Sequence, residues 1–304
     1  MTSIASPQST QAQAAQAQPV QAEPVADRPQ ATRAGRRWAA RPGLVLASLY
    51  VGALVVAVVA PGLLAGDPLR ADPLNALAAP SGAHWFGTDY LGRDVLDRVV
   101  FGARQSLGIA VGATLVAVVF GVLLGVTAGL AHRYADEALS RGLDAVSAFP
   151  LMLLALLIIA IAGTGPGSLV VAIGIAMTPH YARVVRAQTF VVRRAAYVTH
   201  AVAFGAGRGR LALRHVVPNV LGPVPVLAVI GLGEAVLIAA GLSFLGLGAQ
   251  PPAPEWGAML ADGRAYLHAA WWAPVFPGLA VTATILSATV LGRRLQRFFE
   301  GRRA

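Results

Sequence analysis

The chain has 304 residues, 56% of them hydrophobic and only 12% charged, with a mean hydropathy of +0.63; a soluble domain carries about twice that charge. It contains no cysteine, which excludes a disulfide framework, a thiolate metal site and a catalytic thiol. All 24 basic residues are arginine, so the chain cannot supply the lysine that a P-loop places on nucleotide phosphates.

Residues 1–42 are rich in Ala, Gln and Pro and poor in large apolar side chains. Such a segment cannot bury enough surface to fold, and a disordered cytoplasmic tail is expected. Arg36 and Arg37 form a twin-arginine pair, but the apolar run after them is too long for a signal core. The first span is expected at Leu44–Leu64. The mixed stretch Ala65–Gln105 holds HWFGTDYLGRD at 84–94, read as a folded loop capping the bundle with Trp85 and Phe86 at the membrane interface. Val95, Val99 and Gly102 share one helical face, which predicts an amphipathic helix along the membrane surface. Asp94 and Arg98 stand at i, i+4 and read as a helix-surface pair.

Ser106–Leu130 is the second apolar run. Its Gly108, Gly112, Gly121, Gly125 and Gly129 include GxxxG spacings, which let helices approach closely. A short inner loop, His132–Arg141, leads to a third span at about Ala145–Ala162, and GTGPG at 163–167 is a tight turn. The fourth span, about Ser168–Ala182, is short and contains Pro179 and His180. It is either kinked or lines a space enclosed by protein. A fifth span at about Leu221–Leu247 contains Glu234. Gly248–Leu267 is a proline-rich connection whose Pro251, Pro252, Pro254 and Trp256 suggest a rigid outer turn with an interfacial anchor. The sixth span is about Ala273–Leu291. The layout is therefore an all-α polytopic protein: tail 1–42, first helix and outer loop 43–105, core 106–292, and cytoplasmic tail 293–304.

With the N-terminus inside, 19 arginines fall on the inner side and five on the outer. That bias places both termini and the central loop in the cytoplasm. It also accounts for the high pI without nucleic acid, because the arginines are dispersed over membrane edges rather than gathered in one patch. The six histidines are scattered and predict no metal site.

Between spans four and five lies YVTHAVAFGAGRGRLALRHVVPN at 197–219. Tyr197, Ala201 and Phe204 recur at i, i+4 and i+7 on one face of a short helix. Gly205, Gly207 and Gly209 break it, helical spacing resumes over Leu211–His215, and Pro218 marks the step into the fifth span. This stretch resembles the cytoplasmic coupling loop of ABC importer permeases, where a Glu-Ala-Ala triplet is followed by Gly and then Pro at fixed spacing. Thr199-His200-Ala201, Gly205 and Pro218 occupy those positions; Thr199 and His200 depart from the pattern. HWFGTDYLGRDVLDRVVFGARQSL at 84–107, YARVVRAQ at 181–188 and LSFLGLGAQPPAPEWGAML at 242–260 are similar to the C-type permease of dipeptide, oligopeptide and nickel importers.

The resemblance implies a type I ABC importer permease in a bacterial cytoplasmic membrane. It implies one half of a heterodimeric pore shared with a B-type permease. Two ATP-binding subunits holding ATP and Mg dock below, a substrate-binding protein docks outside, and this chain binds no cofactor. The coupling loop, 195–219, is expected to meet an ATP-binding subunit through Tyr197, Thr199, His200, Ala201, Gly205, Arg208, Arg214 and Pro218. Arg208, Arg210 and Arg214 either pair with acidic groups there or only satisfy the topological bias. Di- or oligopeptides are the expected cargo, with nickel or another small solute as the alternative. The 84–94 loop either caps the bundle or receives the binding protein.

A membrane-embedded enzyme would need a nucleophile–base or metal constellation within the spans, and none is legible. A proton-coupled secondary transporter would show repeated halves and several intramembrane carboxylates, whereas Glu234 stands alone inside a span. A mid-span carboxylate costs about 2.5–3.5 kcal/mol on insertion scales unless paired, protonated or wet. Glu234 is therefore expected to line the translocation path or to serve as a structural carboxyl between helices.

Overall fold

The computed structural model describes residues 35–204 and 207–300; residues 41–304 form one compact unit. The N-terminal tail expected to be disordered lies outside the described residues. Helix α1 spans Gly35–Val59, with an apolar stretch from Pro42 that is mostly unburied within the chain. Tyr50 ties it to the bundle by donating from Oη to the Ala280 carbonyl at 2.8 Å.

Helix α2 runs unbroken over Val95–Leu130. At 1.5 Å per residue its 36 residues reach about 54 Å, well beyond the hydrocarbon core of about 30 Å. The surface helix expected over 95–105 is therefore the first turns of α2. No proline interrupts the run, and Asp94 caps its start by accepting from the Leu96 and Asp97 amides. The expected Asp94–Arg98 surface pair does not form. Asp94 instead faces His84 Nδ1 at 2.8 Å, while Arg98 is buried and its Nε lies 3.6 Å from Asp89 Oδ2.

The stretch expected as an inner loop is helical. Helix α3, Arg133–Ser147, and helix α4, Leu151–Ala162, meet at a 90° bend placed by Pro150, which disfavours helix at the residue before it. Helix α5, Pro166–Arg193, is nearly twice the length expected of the fourth span and carries YARVVRAQ within it. Among the described residues, five helices are long and apolar enough to cross a membrane, and the bent pair makes a sixth when counted as one span.

The core is the parallel packing of α2 on α5. A Cβ on Gly121 would meet Tyr181 Cβ at 2.4 Å, one on Gly125 would meet the Ala182 carbonyl at 2.6 Å, and one on Gly129 would meet Thr189 Cβ at 2.5 Å. The four-residue glycine spacing thus works as the sequence suggests, with α5 as the partner.

Helix α6 is Ala196–Ala203 and helix α7 Arg208–Leu211. A π-helical turn, Ala212–Val216, leads into helix α8, Val217–Val220. Helices α9, Val224–Phe244, α10, Trp256–Arg264, and α11, Trp272–Glu300, complete the fold. Trp256 is not an interfacial anchor: it is buried, and its Nε1 donates to the Val99 carbonyl at 2.8 Å. Beside it Glu255, only 1% exposed, accepts from Ser106 Oγ and from the Gly257 and Ala258 amides.

The 84–94 loop is folded against this end of the bundle. Phe86 stacks on Phe276 with centroids 3.9 Å apart. Trp272 Nε1 donates to the Thr88 carbonyl at 3.0 Å, and Asp89 takes Arg93 Nε at 2.7 Å. Trp85 stays exposed.

Candidate functional site

Two neighbourhoods collect the residues singled out in the sequence. The first is the segment between α5 and α9. Its base is rigid because the ends of α2, α3 and α5 are joined. Arg186 reaches Asp136 of α3 with both nitrogens, at 2.5 and 2.7 Å. Arg193 Nη1 donates to the Gly129 carbonyl at 2.7 Å, in the last turn of α2, where helix carbonyls lack internal partners. The Phe190 ring lies 4.7 Å from the Arg186 guanidinium and 4.5 Å from that of Arg193, within cation–π range of both. The Arg186 guanidinium also holds the Asp136 carboxyl below the usual carboxylate range.

On this base the second half of the segment is docked. Val216, Val220 and Val224 bury themselves with Val185 against Val122, Val126 and Val192. Asn219 Nδ2 donates to the His215 carbonyl at 2.7 Å, steadying the π turn; such turns gather at functional sites. Pro218 stands in the first turn of α8, shortly before the fifth span begins at α9.

The first half points away. Val198 is the buried side of α6, whereas Tyr197 is 45% and Phe204 90% exposed. Thr199 and His200 are exposed and Ala201 half-buried. Of the face predicted at i, i+4 and i+7, Tyr197 and Ala201 lie on α6 and Phe204 one residue beyond its end; the two aromatic side chains are exposed in the isolated chain. Arg214 is exposed on the π turn and Arg208 opens α7. Gly205 lies outside the described residues.

The second neighbourhood is a cleft of about 450 Å³ bounded by the α3–α4 bend, the middle of α5 and α9. Glu234, the eleventh of the 21 residues of α9, lines it together with His180 and Arg183. Its register is set by Tyr181. A Cβ on Gly231 would fall 1.9 Å from the Tyr181 hydroxyl, so only glycine lets α5 and α9 close there. Gly231 and Glu234 are one turn apart on α9, as are His180 and Arg183 on α5. The fourth span thus runs on through Pro179 as one helix and lines an open cleft with His180 and Arg183. Sequence reasoning named Glu234 but missed Arg183, which lines the same cleft. The signal was the i, i+3 spacing of His180 and Arg183 after Pro179, obscured because Arg183 was assigned to the loop.

The sequence profile of the family described as binding-protein-dependent transport system inner membrane component matches residues 121–304. The dipeptide transport system permease protein DppC of Alkalihalophilus pseudofirmus is 41% identical over 199 residues, 66% of each chain. The di/tripeptide transport system permease protein DppC of Pseudomonas aeruginosa is 42% identical over the same share. The glutathione transport system permease protein GsiD of Pectobacterium atrosepticum is 39% identical, again over 66% of each chain. The matched part thus spans just under two thirds of these relatives. Among solved structures, inward facing conformations of the MetNI methionine ABC transporter align with a TM-score of 0.50 at 18% identity, covering 65% of this chain and 96% of that one. That likeness concerns the fold.

Proposed function

The chain belongs to the family of binding-protein-dependent transport system inner membrane components, and from that premise we propose that it is the permease subunit of an ATP-driven peptide importer. The observation that carries this reading is the shared sequence with relatives named for dipeptide, di/tripeptide and glutathione transport. In this reading the chain forms half of a pore with a second, B-type permease. Two partner subunits bind ATP and Mg, and an outer binding protein delivers the solute. The chain itself is a transport subunit, not an enzyme.

The geometry supplies a mechanism. Tyr197 on α6 and Phe204 just beyond it are large, exposed anchors, aromatic residues of the kind enriched at interfaces. The valine cluster and the arginine-joined ends of α2, α3 and α5 leave little slack. A displacement of α6 by an ATP-binding subunit passes through α8 into α9, and through α5 into the cleft. Glu234 then lies on the translocation path, where a wet or solute-paired carboxylate escapes the cost of burial in lipid.

The test is reconstitution in proteoliposomes of this chain with a second permease, ATP-binding subunits and a binding protein. Uptake of di- and tripeptides is expected only with ATP and all components present. The purified chain alone hydrolyses no ATP. Uptake that survives omission of the ATP-binding subunits refutes the proposal, as does a complete complex that carries nickel but no peptide.

A further inference from the structure

We infer that the cleft between α5 and α9 is a two-ended recognition site for zwitterionic solutes, with Glu234 taking the ammonium end and Arg183, aided by His180, taking the carboxylate end. The inference rests on the permease reading above and adds two specificity-determining residues to it.

The cleft has the volume of a small-molecule site, about 450 Å³. Its lining mixes apolar side chains, Phe149, Pro150 and Met177 among them, with charged groups of both signs from two neighbouring helices. Glu234 comes from α9, while His180 and Arg183 come from α5. The Tyr181–Gly231 contact holds these two walls in register, because the tyrosine is buried and the glycine leaves it no room to shift.

Arg183 is not consumed by its neighbour. Its Nη2 meets Asp144 Oδ1 at 3.2 Å, but the two side chains are 49% and 69% exposed, and exposed pairs of this kind hold weakly. A guanidinium has five donors, so a solute carboxylate can join or displace Asp144. His180 is exposed one turn away on the same wall. A carboxylate and a guanidinium lining one cleft fit a short peptide with both termini free. They fit poorly a solute of one sign, which leaves one wall charge without a partner.

The experiment uses the complete complex in proteoliposomes with dialanine, N-acetyl-dialanine and dialanine amide. Uptake by Glu234→Gln and Arg183→Gln is expressed relative to the unaltered complex for each peptide. The same binding protein serves every assembly, so its own preferences cancel. Glu234→Gln is expected to lower uptake of the two peptides with a free amine about tenfold, the loss typical of a charge-assisted hydrogen bond, and to spare the acetylated one. Arg183→Gln is expected to do the converse, lowering dialanine and N-acetyl-dialanine and sparing the amide. Glu234→Asp should restore part of the loss. Saturation-transfer NMR of dialanine on the purified permease pair bypasses the binding protein and should lose signal in both Gln variants. Equal effects on all three peptides, or unchanged NMR signal, overturn the inference while leaving the permease reading intact. Absence of ATP-driven uptake by the unaltered complex sinks the permease reading itself.

Discussion

Gly125 and Gly108 lie on the same helix and have opposite environments. A methyl group on Gly125 would sit 2.6 Å from a backbone oxygen and 2.7 Å from Val185 Cβ, whereas one on Gly108 meets nothing within 4 Å. Gly125→Ala must push α2 from α5 and should cost about 1–3 kcal/mol, as overpacking does. Gly108→Ala should be neutral or slightly stabilising through helix propensity. Thermal unfolding in detergent separates the two; equal melting temperatures would contradict the packing. Glu255 makes a second residue-level case. Its carboxylate satisfies Ser106 and two amides at the start of α10. Glu255→Ala leaves those donors buried, at about 1–3 kcal/mol for each one left unpaired, while Glu255→Gln keeps one acceptor and should lose less. The order Ala below Gln below Glu in melting temperature is expected. Glu255 was not legible as a cap in the sequence, because glutamate is not among the residues that favour the N-cap position, and its third partner, Ser106, lies 149 residues away. The glycine spacing was legible because a periodic signal needs no knowledge of the partner.

At the scale of elements, apolar runs were read well and their ends poorly. The runs themselves mark the long helices, since length and hydropathy are local properties. Where a helix ends is decided by caps and neighbours. Val95–Gln105 looked separate from 106–130 because its composition changes, yet nothing in the backbone chemistry stops α2 between them. Arg133–Ser147 looked like a loop because it is polar, yet it is an amphipathic helix pinned to α5 by Arg186 on Asp136 and by Arg183 on Asp144. The exposed Arg183 pair contributes little, so the Arg186 pair should hold α3 in place. The Asp136 carboxyl is held low by that guanidinium. A depressed carboxylate contributes stability above its unfolded value, near pH 4, and loses it as pH falls through the folded value. Spin labels on α3 and α5 of the purified chain should therefore report one short distance at neutral pH and a broadened one in acid. Asp136→Asn should show the broadened distribution at pH 7. A distribution unaffected by either change would assign the docking of α3 to apolar contacts such as buried Leu143.

The whole molecule joins an outer end sealed by aromatic stacking, a central cleft with charges of both signs, and an inner end whose helices are bolted together. At the inner end Tyr197 on α6 and Phe204 just after it are exposed. Phe204 is 90% exposed, and a phenylalanine so placed on an isolated soluble surface gains nothing from its position; it becomes useful when a partner buries it. Buried aromatic anchors at interfaces cost 2 kcal/mol or more when truncated, about a thirtyfold loss of affinity. Phe204→Ala should therefore leave the chain folded, since the side chain packs against little within it. The melting temperature of the purified chain should be unchanged. Retention of the ATP-binding subunits during purification should fall, and solute-stimulated ATP hydrolysis by the complex should drop at least tenfold. Val216→Ala offers the contrasting outcome, because Val216 is fully buried in the valine cluster that packs the π turn and α8 against α2 and α5. It should lower the melting temperature of the chain and loosen coupling while the exposed face of α6 stays chemically intact. If Phe204→Ala retains full stimulated hydrolysis and a normal subunit content, α6 is not the contact through which ATP drives this pore.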